Sequence, residues 1–134
     1  DTGEVTVDGD LALAPGDINQ DVNPNVTAAA YTNSFDGTDS TQLYDIDTLL
    51  NTVVLQDPPN DGTLVTVGDL GTDFDTLGGF DILSSTSGEN MAFAVSDSTL
   101  YGVDLSTGEA SDLGEIGDSN AENLQGFTIV TDFV

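Results

Sequence analysis

Short runs of apolar residues recur along the chain, separated by stretches dense in Gly, Asp, Asn, Ser and Thr. Leu100, Gly102 and Asp104 alternate with Tyr101, Val103 and Leu105. A period of two is strand spacing, and apolar residues on both sides of it predict burial on both faces. No window sustains a helical period, and the residues between the runs are poor helix formers. The chain is expected to be all-β.

The runs repeat. Leu43-Tyr44-Asp45-Ile46-Asp47 returns as Leu100-Tyr101-Gly102-Val103-Asp104, and Val67-Gly68-Asp69-Leu70-Gly71 returns as Leu113-Gly114-Glu115-Ile116-Gly117. Leu77-Gly78-Gly79-Phe80-Asp81-Ile82 returns as Leu124-Gln125-Gly126-Phe127-Thr128-Ile129. In the complete copy the expected strands are Gly79–Leu83, Met91–Ser96, Thr99–Asp104 and Glu109–Leu113, with turns at Ser87-Gly88, Asp97-Ser98 and Thr107-Gly108. The other copy carries Asp57-Pro58-Pro59-Asn60-Asp61-Gly62 as a longer turn. It is expected to open with Asp10–Leu13 as its first strand and Val26–Thr32 as its second, joined by a long loop from Ala14 to Asn25. Four antiparallel strands in a repeat of about 45 residues is the pattern of a β-propeller blade.

The reading is one partial-propeller domain over residues 1–134, with blade repeats at about 10–71 and 77–117 and completing strands at 1–8 and 124–134. Asp1-Thr2-Gly3-Glu4-Val5 matches Ser106-Thr107-Gly108-Glu109-Ala110, so the first residues are an outer strand without its neighbour, and Gly126–Val130 is an inner strand without its neighbour. Unpaired strand edges template pairing with another chain. The expected partners are copies of the chain itself, in a ring or a filament, or the missing half of a longer precursor.

Composition narrows the chemistry. The chain has no Lys, Arg, His or Cys, and its 25 acidic residues, mostly Asp, give a formal charge of −25. No carboxylate has a basic side chain to pair with, so self-repulsion is relieved by salt or bound cations. Nucleic acid is excluded as a partner because phosphate binding needs Lys or Arg. No apolar run is long enough to insert in a membrane as a helix. Without His, Cys or Lys there is no Ser-His-Asp triad, Cys nucleophile or Schiff base. Nothing singles out a carboxylate pair for glycoside hydrolysis.

Asp17, Asn19, Asp21 and Asn23 alternate as oxygen ligands do in a calcium loop. Val22 stands where an EF-hand has Gly and Ala28 where it has Glu, so calcium would bind here only in an irregular loop. Asp36 with Asp39, Asp73 with Asp75 and Asp57 with Asp61 are weaker acid pairs. Asn25-Val26-Thr27 is the one glycosylation sequon. Asp47 and Asp104 are read as turn caps, Tyr44, Tyr101, Phe80 and Phe127 as packing, and Gly79 and Gly126 as points of close backbone approach.

Several segments resemble one family. They are Thr2-Gly3-Glu4-Val5-Thr6-Val7-Asp8-Gly9-Asp10-Leu11-Ala12-Leu13-Ala14-Pro15-Gly16-Asp17 and Asn23-Pro24-Asn25-Val26-Thr27-Ala28-Ala29-Ala30-Tyr31-Thr32-Asn33, with Asn60-Asp61-Gly62-Thr63-Leu64 and Gly79-Phe80-Asp81-Ile82. The family is the secreted bacterial "domain of unknown function forty-three ninety-four". The resemblance covers nearly the whole chain and falls on the family's C-terminal half. It implies a propeller-like fold and an extracellular or cell-surface location, and it assigns no activity.

The function expected from all this is a non-catalytic extracellular structural or interaction module that completes its β-sheets with another chain. A calcium-dependent ligand-binding module is the alternative, and an acid-pair or metal-dependent hydrolase stands behind both.

Overall fold

The computed structural model describes residues 2–74, 77–117, 124 and 126–130. Among these there is no α-helix, and so no helix long and apolar enough to cross a membrane. The strands are β1 (Ala12–Leu13), β2 (Val26–Tyr31), β3 (Leu43–Asp47), β4 (Thr52–Gln56), β5 (Thr63–Asp69), β6 (Leu77–Ser84), β7 (Asn90–Ser96), β8 (Thr99–Val103) and β9 (Ala110–Glu115). They form a five-stranded mixed sheet, ordered β1-β5-β4-β3-β2, and a four-stranded antiparallel sheet, ordered β6-β7-β8-β9. The four strands expected of the complete copy are those of the second sheet.

The expected first strand of the earlier copy is corrected. Residues 12–13 do not lie beside β2. They pair in parallel with β5 at the opposite edge, Ala12 against Thr63 and Leu13 against Leu64. The expected longer turn at residues 57–62 joins β4 to β5, with Pro59–Asp61 as a single 3-10 turn within it.

Pairing registers reset the phase of the repeat by one strand. In the first sheet Val26 pairs with Asp47, a bulge follows, and Ala28 pairs with Ile46. In the second, Leu77 pairs with Ser96, a bulge follows, and Gly79 pairs with Val95. Val53 pairs with Gly68 before a bulge and Val54 with Thr66 after it; Leu100 pairs with Gly114 before a bulge and Tyr101 with Asp112 after it. Bulges are built-in features that bend and twist a strand. Their coincidence equates β2, β3, β4 and β5 with β6, β7, β8 and β9. The Leu-Tyr strand at Leu43 is thus the counterpart of β7, not of β8, and Asp45 is the counterpart of Ala94.

The two sheets pack face to face around one core. The first contributes Ala30, Ile46 and Val53, and the second Phe80, Ile82, Ala92, Ala94 and Val103. Leu70 and Phe74, from the β5–β6 connection, are wholly buried in the same cluster. Phe74 stacks obliquely on Tyr101, ring centroids 4.9 Å apart. Asn51 holds that connection in place: its carbonyl accepts from Leu70 N–H (2.8 Å), its Oδ1 from Phe74 N–H (2.8 Å), and its Nδ2 donates to Asp73 Oδ1 (3.0 Å). Tyr44 and Tyr101 pack against this core and Phe80 lies in it, as expected.

Where the outer parts of the sheets meet, backbone touches backbone. A Cβ on Gly68 would fall on the Thr107 carbonyl oxygen, and one on Gly108 on the Gly68 carbonyl. Ala110 N–H donates to the Leu70 carbonyl beside them (2.9 Å). Only glycine permits so close an approach.

Candidate functional site

The opposite face of the first sheet carries the residues that sequence singled out. Cross-strand partners share a face, so Ala29, Asp45, Val54 and Thr66 form one row and Val26, Asp47, Thr52 and Asp69 the next. Leu13, Val54 and Leu64 make a second small core here, with Val26 and Leu50 against it. Two carboxylates help tie the loop from Ala14 to Asn25 to this face.

The first tie is Asp17. Its Oδ1 accepts from Asn19 N–H (2.8 Å) and Thr66 Oγ1 (2.8 Å), and its Oδ2 from Thr66 N–H (2.7 Å). Thr66 N–H lies on the β5 edge just past the point where β1 ends, so the carboxylate continues the ladder that the backbone of β1 begins. Burial acts to raise the Asp17 carboxyl, but the hydrogen bonds from Asn19 and Thr66 prevail and hold it below its ordinary value. Asn19 Nδ2 adds a bond to Thr66 Oγ1 (3.2 Å). The second tie is Asp47, whose Oδ2 accepts from Asn25 N–H (2.9 Å) while its Oδ1 accepts from Leu49 and Leu50 N–H (2.9 and 3.0 Å).

Of the four calcium-loop residues, the structure brings Asp17 and Asn19 together on Thr66 and leaves Asp21 and Asn23 exposed. No three acidic groups gather to hold a metal among the described residues. Asn25 is exposed, with Nδ2 on Thr48 Oγ1 (3.1 Å), and the sequon's Thr27 hydroxyl reaches the same atom (3.4 Å). Of the weaker pairs, Asp73 is bonded to Asn51, and Asp75 lies outside the described residues. Asp104 caps its turn through Ser106, whose hydroxyl and N–H lower its carboxyl.

Substituting Asp17→Asn turns an amide N–H toward Thr66 N–H. The loop is expected to lose about 2 kcal/mol of docking, since bonds to a charged acceptor contribute roughly 1.5–3 kcal/mol. Hydrogen exchange checks it: Thr66 and Val22 amides should speed up while Val53 stays protected, and unchanged exchange at Thr66 would refute the role.

Sequence reasoning passed over Asp45. It is completely buried, and neither carboxylate oxygen has a hydrogen-bond partner. Thr52 Oγ1, on the same face, is likewise buried and unpartnered. Desolvation raises the Asp45 carboxyl to about 6. The signal was present: Asp45 stands between apolar Tyr44 and Ile46, in the strand that was read as a copy of one buried on both faces.

The structure also places the two segments expected to lack neighbours. Residues 2–8 are exposed and outside any strand, with Val5 85 % and Val7 90 % accessible. Yet they repeat the turn that leads into β9. Gly3 and Gly108 share a left-handed conformation (φ 68° and 85°), and Glu4 N–H meets Thr2 Oγ1 (3.4 Å) as Glu109 N–H meets Thr107 Oγ1 (3.3 Å). Gly9 then abuts the Asp61 carbonyl, and Gly62 the Asp10 carbonyl, reproducing the Gly68–Gly108 contact one sheet earlier. At the other side, residues 126–130 lie on β6. A Cβ on Gly79 would meet Phe127, and Asp81 Oδ2 accepts from Ile129 N–H (2.7 Å) and Thr128 Oγ1 (3.0 Å). Gly79 is thus a point of close approach as expected. Gly126 is not: nothing lies within 4 Å of its Cβ position.

On the face of the second sheet turned away from the first, Met91, Phe93, Gly102 and Ser111 line an open groove of about 470 Å³.

No curated protein matches the chain, and no solved structure does. The model of the family "Domain of unknown function (DUF4394)" matches residues 1–128, and with nearly its whole length so matched the chain belongs to that family.

Proposed function

We propose that the chain is a non-catalytic extracellular interaction module, a stack of propeller-type blades that is completed by another chain. The observation that carries this is the state of residues 2–8. They have the turn, the left-handed glycine and the inter-sheet glycine contact of a fourth strand, but among the described residues no strand pairs with them. Exposed Val5 and Val7 alternate with polar neighbours as a strand awaiting a sheet does. Matching bulges in the two sheets support the blade reading, because successive blades are copies of one unit. A surface without a single base suits saline surroundings, where salt screens its carboxylates. Lack of His, Cys and Lys supports a binding rather than a catalytic role.

Native mass spectrometry of the protein isolated without denaturation is the test. The expected result is this chain joined to further polypeptide. A lone 13.8 kDa species contradicts the reading.

A further inference from the structure

We infer that the pocket between the β3–β4 turn and the β5–β6 connection is a calcium site. It is open, measures about 500 Å³ and is lined by Leu50, Asn51, Asp69, Gly71, Thr72 and Asp73. Two of these are carboxylates, and in a chain without Lys, Arg or His only a bound cation can offset them. The walls are fixed. Leu70 and Phe74 are wholly buried, which anchors residues 71–73 at both ends. From the other wall Asn51 Nδ2 holds Asp73 by one oxygen, Oδ1, at 3.0 Å.

Acidic side chains alone do not make a site. Beside these lies a group that no protein atom satisfies. Thr52 pairs with Asp69 across β4 and β5, and cross-strand partners share a face. Thr52 is only 2 % exposed, and its Oγ1 is buried without a hydrogen-bond partner. A hydroxyl in that state destabilises the fold. A cation held by Asp69 gives this oxygen a partner.

The donors select the ion. Calcium takes carboxylate, hydroxyl, carbonyl and water oxygens in flexible geometry, whereas magnesium demands a near-ideal octahedron and gives up its water reluctantly. An open pocket with two carboxylates and a buried hydroxyl, with room for water, suits calcium. So few carboxylates place the affinity in the range of weak extracellular sites, on the order of 10⁻⁴–10⁻³ M. The site stands whether or not another chain completes the sheets.

The test is a calcium titration of the whole protein in about 150 mM NaCl, followed by amide resonances, with magnesium as the second ion. The amides of Asn51, Leu70, Gly71, Thr72 and Asp73 are expected to shift together and saturate with a Kd of about 1 mM, magnesium binding about 10-fold more weakly. Asp69→Asn should weaken calcium by about 10-fold. Asp36→Asn removes the same charge from an exposed position and should change affinity by less than about twofold. Thr52→Val should also weaken calcium, yet leave the calcium-free protein at least as stable in thermal melts, because it removes the unsatisfied hydroxyl. A purely structural role for Thr52 would not separate the two readouts. Shifts that spread over the acidic surface without saturating, or equal losses in Asp69→Asn and Asp36→Asn, mean diffuse screening only and overturn the site. Unchanged affinity in both Asp69→Asn and Thr52→Val overturns it as well.

Discussion

Asp45→Asn is expected to raise stability at neutral pH and to flatten its dependence on pH. The wild-type carboxyl is buried without a hydrogen-bond partner, and desolvation lifts it from 3.8 to about 6. The folded state therefore holds this proton more tightly than the unfolded chain. The stabilisation it gives is fully present below the unfolded value, falls as pH rises between about 4 and 6, and is gone above that. At 1.36 kcal/mol for each pH unit, the loss is about 3 kcal/mol. An amide avoids it, at some cost for burying unsatisfied polar atoms, so the variant should gain about 1–2 kcal/mol at pH 7.5. Nothing nearby offsets the charge: Asp47 and Asp69 share the face, Asp17 sits on Thr66 in the same row, and the chain has no base. Comparing denaturant melts of the two proteins from pH 4 to 8 cancels the contribution of the other carboxylates. A variant less stable than wild type at pH 7.5 would mean that ionised Asp45 has a partner, such as a bound cation.

Gly68→Ala is expected to be the most damaging substitution between the sheets. The new Cβ meets the Thr107 carbonyl, and neither backbone can yield without pulling β5 from the turn ahead of β9. Overpacking of this kind costs about 3 kcal/mol, enough to remove a large part of a small domain's stability. Gly9→Ala is the control. It places the same clash against the Asp61 carbonyl, but the segment it displaces has few other attachments. Thermal melts should therefore shift by less than about 0.5 kcal/mol for Gly9→Ala. Equal losses at the two glycines would show that residues 2–9 are as firmly built into the fold as β5.

Much of the second sheet was legible in sequence because its strands alternate cleanly and its turns carry local signals. Asp97 and Ser98 both adopt positive φ, as the two-residue hairpin turn between β7 and β8 requires. The first sheet was harder. Its Leu43-Tyr44 strand resembles the Leu100-Tyr101 strand because both fill a buried, flat site, not because they share a position. Composition could not separate them; the paired bulges could. Residues 12–13 were misplaced for a related reason. A two-residue strand carries almost no periodic signal, and its parallel partner β5 lies far away in the sequence, so no local pattern reveals the pairing. Asp17 was chosen for the right kind of atom but with another task in view, since whether a carboxylate meets a cation or a backbone N–H depends on what the fold brings to it. The turn caps at Asp47 and Asp104 were readable because they act within a few residues of themselves.

The proposal as a whole turns on whether the backbone of residues 5–8 has a sheet neighbour inside the single chain. Amide exchange measured residue by residue on dilute, monomeric 134-residue protein answers this directly. Residues 5–8 should exchange at close to unstructured rates while Val53, Val54 and Val95 remain strongly protected. Slow exchange at residues 5–8 in that monomer would mean that the strand is already paired, and the case for a partner would fail.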